Sequence, residues 1–190
     1  MAKEICSPTV EEIAALLKCV TGNESAAYVS VPITTGKRFL EWYKDRGRLL
    51  KNTEYSEAHF REVIKPNMDD AQEFISHIRA THECIVIEPT ALTIDCWSQN
   101  DYNKFWKTVI ERYISKVYFG DGWYLSKGCT MEFMVAFKKG IPTYKQNKKH
   151  LTAKEALDLI QTGIGEYNLL GLDASFQNKM ADELKRAVQP

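Results

Sequence analysis

Residues 121–144, DGWYLSKGCTMEFMVAFKKGIPTY, pass from a Gly- and Ser-rich turn into a helical pattern that carries a single carboxylate, Glu132. A helix starting near Gly128 takes Ser126 as its N-cap and leaves the first amides, those of Gly128 and Cys129, facing outward. Such amides, with the positive end of the helix dipole, seat an anion. Glu132 lies just past the first turn, where the dipole favours its ionised form. An ionised, partly desolvated carboxylate is a nucleophile toward an electrophilic sugar carbon. Acids are also favoured at helix starts for the dipole alone. Against that simpler reading, Met131, Phe133, Met134, Val135 and Phe137 make the helix apolar on almost every side.

A second group is AYVSVPITTGKR, residues 27–38. Thr34, Thr35, Gly36, Lys37 and Arg38 follow a strand-like run and offer hydroxyls, a pliable backbone and two cations at a helix start. That set suits a phosphate, although the spacing of a P-loop is absent; a solvated helix start explains it equally. Trp123 is placed to stack on a base or to close a loop over the core. Asp95, Asp101 and Asp121 fall near strand ends as acid/base candidates, and Asp101 also suits a helix cap. His77 and His82 are five apart, one step off the spacing of a zinc pair, and read as surface residues. Cys129 sits at a helix start, which lowers a thiol pKa, but no histidine partner is evident.

The elements that must hold these residues belong to one domain. The chain has 190 residues, 44% of them hydrophobic, with 25 basic and 25 acidic side chains. The zero balance excludes an electrostatic grip on polymeric nucleic acid or an anionic membrane, and no apolar run reaches the ~20 residues of a membrane span. Five scattered cysteines without a C-x-x-C pair point to reduced thiols and a cytoplasmic setting, with no metal site and no cofactor. The acids in MAKEICSPTVEEIAALL do not suit a secretory signal.

Pattern and punctuation predict a helix over 7–22, a strand over 26–33 ended by Pro32, and an amphipathic helix after Gly36. Loop and helix end fill 46–60, and a helix spans 67–82. A strand over 83–89, a helix over 100–114 and a strand over 115–122 follow, then the Glu132 helix ending at Gly140 and a short strand over 141–144. Helices over 152–164 and 174–188 finish the chain. Alternating strands and helices imply a mainly parallel sheet of four or five strands covered on both faces. Ligands then sit beyond the strands' carboxyl ends.

Together, YVSVPIT-TG and S-x-G-x-x-x-E-x-x-x-A followed by GIP resemble the nucleoside 2-deoxyribosyltransferase superfamily, over about residues 26–145. That superfamily includes the deoxynucleoside 5'-monophosphate N-glycosidases and the cytidine-monophosphate hydrolases. The resemblance implies an α/β, flavodoxin-like three-layer sandwich, with 1–25 and 146–190 as helical additions. It also implies cleavage of the N-glycosidic bond of a nucleoside or nucleotide. On that likeness Glu132 is the nucleophile and Tyr28 orients it. Ser126, where a hydroxyl replaces the acid of the transferases, points to a 5'-monophosphate, with the phosphate on Ser126, Gly128 and the Thr34–Arg38 turn. Val31 stands where the family has a small residue. The family's second acid falls near Thr108, which is not acidic, so Asp101 or Asp95 must substitute. A homodimer or higher homo-oligomer is implied, with Thr152 as the counterpart of the residue that a partner lends. Two other outcomes stay open: base transfer, and a nucleotide-binding sensor without chemistry.

Overall fold

The computed structural model describes residues 8–22, 26–82 and 84–188. Its centre is a four-stranded sheet, all parallel, in the order β2-β1-β3-β4. These strands are β1 (Ala26–Ser30), β2 (Val86–Ile87), β3 (Ile114–Phe119) and β4 (Thr143–Lys145). The chain is therefore an α/β three-layer sandwich of flavodoxin-like architecture. β1 is buried at all five positions, as a central parallel strand must be. Strand alternation divides its side chains. Ala27 and Val29 pack with Phe74, Ile75 and Ile78 in one layer. Ala26 and Tyr28 join the larger core with Phe105, Val109 and Phe133 in the other.

The helices are α1 (Val10–Thr21), α2 (Lys37–Asp45), α3 (Asn52–His59), α4 (Lys65–Thr81), α5 (Gln99–Tyr113), α6 (Lys127–Lys138), α7 (Ala153–Leu169) and α8 (Ser175–Val188). Capping boxes start three of them. Thr9 with Glu12 starts α1, Ser98 with Asp101 starts α5, and Thr152 with Glu155 starts α7. Ser7, the first residue of the helix expected over 7–22, lies outside the described residues.

The largest departure from the sequence expectation is at 46–60. Asn52–His59 is helical and runs through a π turn, Phe60–Ile64, into α4. Pro66 explains the π turn: it has no N–H, and its ring would press on the carbonyl four residues back. In the widened turn the Lys65 amide reaches back five residues to the Phe60 carbonyl, which makes room for that ring. All four strands are shorter than expected, β1 and β2 most of all. β1 stops at Ser30, ahead of Pro32, and β2 keeps only Val86 and Ile87. Helix α7 runs on through Gly163 and Gly165. At Gly163 a side chain would lie 3.0 Å from Tyr124 and Leu125, so a bare backbone lets α7 approach the loop ahead of α6.

Candidate active site

Tyr28 and Ser30 stand two apart on β1 and so share a face. Both meet Glu132, which α6 presents from one and a half turns past its Ser126 cap. The Tyr28 hydroxyl donates to Glu132 Oε1 at 2.7 Å and the Ser30 hydroxyl to Oε2 at 2.6 Å. The carboxyl group is buried, with 6% of the residue exposed. Burial pushes its pKa from 4.5 up to about 7, against the opposing pull of the two hydrogen bonds. The helix dipole therefore does not hold Glu132 fully ionised at neutral pH, because desolvation outweighs it. Burial also raises the Tyr28 phenol, with the Glu132 charge adding to it. Cys129, one turn before Glu132, is pushed up to about 12 by burial and then by that same charge. This thiol is a packing group, not a nucleophile.

Ser126 caps α6 as expected, its Oγ accepting from the Cys129 amide at 3.4 Å. The space before Gly128 is open: a Cβ there would meet only Ser126 Oγ, at 3.8 Å.

Of the other expected phosphate ligands, the cations Arg38 and Lys37 pair with acidic or amide side chains. Arg38 donates to Asn67 at 2.6 Å and to Asp70 at 3.0 Å, so its charge is spent on α4. Asn67 Nδ2 donates to the carbonyls of Ile33 and Thr35, and His59 Nε2 contacts that of Thr34 at 2.9 Å. The Thr34–Gly36 turn is thus clamped from α3 and α4. Gly36 has φ 93°, and a side chain there would also press on Pro32. Lys37 closes on Asp121 at 2.7 Å.

Asp101 belongs to the α5 cap, accepting from the Ser98 amide and hydroxyl. It is not gathered with Glu132, and no hydrogen bond or ion pair links Asp95 or Thr108 to that cluster. Trp123 is 3% exposed and packs between Phe119 and Phe133, closing the loop over the core. Thr152 caps α7. Among the described residues no group of three or more His, Cys, Asp or Glu is arranged to hold a metal ion, and no helix is long and apolar enough to cross a membrane.

Ser30 escaped the sequence reading. Its signal was a polar residue two after Tyr28 in an otherwise apolar strand, on the same face.

A cavity of about 920 Å³ opens at the carboxyl edge of the sheet, lined by Val31, Pro32, Gly120, Asp121 and Trp123 and by one side of α4. Neither Tyr28, Ser30, Ser126 nor Glu132 belongs to its lining. Val31 packs on Gly120, where an added Cβ would lie 2.7 Å from Val31 Cγ1. Comparison of the chain with protein-family models, with curated proteins and with solved structures finds no match in any of the three.

Proposed function

We propose that this chain is a nucleotide N-glycosidase that hydrolyses the bond between base and sugar in a nucleoside 5'-monophosphate. One observation carries the reading: a buried carboxylate receives a hydroxyl on each oxygen, from Tyr28 and Ser30, 104 and 102 residues away in the chain. Each oxygen keeps a second lone pair for attack. Glu132 bonds to C1' as the bond from C1' to the base nitrogen breaks. That bond's electrons leave with the base, which takes its proton from water because Asp101 is given over to a cap. A second water then hydrolyses the glycosyl ester, releases the sugar phosphate and restores Glu132. The phosphate rests on the Gly128 amide and the Ser126 hydroxyl, which accepts from the Cys129 amide and still has a proton to donate. Arg38 takes no part. The same reading makes the protein cytoplasmic and homo-oligomeric, with no cofactor.

The test is a panel of ribo- and deoxyribonucleoside monophosphates and their nucleosides, followed chromatographically for free base. Wild type releases base from at least one, and Glu132→Gln loses about 10³-fold or more. Equal rates in the two proteins would falsify the nucleophile. A second free base that yields a new nucleoside would move the reading to transfer.

A nucleotide sensor without chemistry is the second reading. It is favoured by a cavity lining that stops short of Glu132. Tight calorimetric binding of a nucleotide with no base released over hours would decide for it.

A further inference from the structure

Helix α8 is seated by an apolar stripe: Met180, Ala181 and Leu184 are buried at the spacing of one helical face. One turn ahead of them the same stripe begins with an amide instead of a hydrocarbon. Gln177 is 0% exposed, and neither its Nε2 nor its Oε1 has a hydrogen-bond partner among the described residues. No other buried side-chain nitrogen or oxygen among them is left without one. An amide that gives up its water and gains no partner favours the state in which it is wet again.

The remaining ties of α8 are weak. It packs on α6 and α7. Lys138 of α6 pairs with Glu183 at 2.6 Å, and Lys127 pairs with Asp173, just ahead of α8, at 3.3 Å. Both pairs reach solvent, where an ion pair contributes little. Helix α7 is anchored from within. The buried Tyr167 hydroxyl donates to the Leu125 carbonyl at 2.6 Å, and the bare backbone at Gly163 closes on Tyr124 and Leu125. Between the two helices residues 170–174 form a turn in which Gly171 takes φ 66°. Rotation within that turn moves α8 and leaves α7 in place.

We propose that α8 is a detachable cover, which lifts from α6 and α7 as one unit while α7 and the sheet stay folded. The opening bares the side of α6, the helix of Glu132, that α8 covers. It does not depend on what Glu132 does. Amide exchange of the full chain across low urea concentrations reads it directly. The amides of residues 179–188 exchange at least about a hundredfold faster than those of β1 and β3. Their rates rise with urea less than about half as steeply as the sheet's, because lifting one helix exposes little surface. Helix α7 exchanges with the sheet. Gln177→Met keeps the volume and removes both polar atoms. It slows the α8 amides about tenfold or more. The sheet slows by the same factor, since the closed state gains against the open and the unfolded chain alike.

Amides of α8 that exchange at the sheet's rate and with its urea slope would overturn the proposal. So would an opening that takes α7 along with α8. A Gln177→Met protein whose α8 exchanges as fast as wild type, or faster, would also overturn it, because the amide would then already be satisfied in the closed state.

Discussion

A carboxyl group enclosed by protein keeps its proton to higher pH than one in water, and Glu132 titrates near 7 for that reason. As a nucleophile it must be ionised, so base release rises with pH along a limb centred near 7 and levels above it. The two hydroxyls pull the other way, each stabilising the anion. A hydrogen bond to a charged group is worth about 1.5–3 kcal/mol, or about one to two pH units. Tyr28→Phe and Ser30→Ala therefore move the limb to higher pH by about one unit each, and kcat/KM at neutral pH falls about fivefold. The pH–rate profile is the measurement that decides. A loss of rate with the limb unmoved would mean that these hydroxyls only support packing.

The elements show what a sequence discloses and what it conceals. Ser126 as a helix cap and the strand at Ala26–Ser30 were legible because both are local: a cap residue before an apolar helix, and a mostly apolar run with Tyr28 and Val29 shortly before a proline. The link from Tyr28 to Glu132 spans 104 residues, and only a family likeness made it legible; no periodicity reaches so far. The partners of Arg38, Asn67 and Asp70, lie on another helix, so no local pattern announced them. The helix over Asn52–His59 was hidden for a related reason. Its amphipathic signal is weak, and tertiary contacts hold the segment. Trp42 and Arg46 both donate to Glu62, while Trp42 stacks on His59 with ring centres 5.2 Å apart. Asn67, on α4, is where the clamp closes on the Thr34–Gly36 turn. It donates to Ile33 and Thr35 at 2.8 and 3.1 Å and accepts from Arg38. Asn67→Ala removes all three contacts and costs about 2–3 kcal/mol in urea unfolding. Amide exchange quickens over residues 33–38 before any global unfolding. Uniform acceleration across the whole sheet would show that the clamp is not local.

For the whole molecule, pH sets opposing trends, and their signs follow from the direction of each shift. Glu155 and Asp173 are held down to about 2, first by hydrogen bonds from Lys145 and from Ser175 respectively. Their contribution is present above the usual carboxylate range and is lost as pH falls toward 2. Glu155, on α7, reaches Lys145 of β4, and Asp173, in the turn before α8, reaches Lys127 at the start of α6; both pairs are at exposed positions and each contributes little. His82 is lowered by burial and then by Lys116 and Lys148. The unfolded chain therefore takes that proton first, and stability is lost as pH drops below 6.5. Glu132 runs the other way. Its pKa is raised on folding, so its contribution is complete below 4.5 and disappears as pH climbs through about 7. Its enclosure is worth on the order of 3 kcal/mol across that window. Glu132→Gln lacks this proton, while the other groups titrate equally in both proteins and cancel in the difference. Urea unfolding at intervals from about pH 4.5 to 8 should therefore show the variant gaining on wild type by about 3 kcal/mol, most steeply between 5 and 7. A flat difference would mean that the carboxyl group is solvated, and a solvated Glu132 has neither the raised pKa nor the desolvated attack on which the glycosidase reading depends.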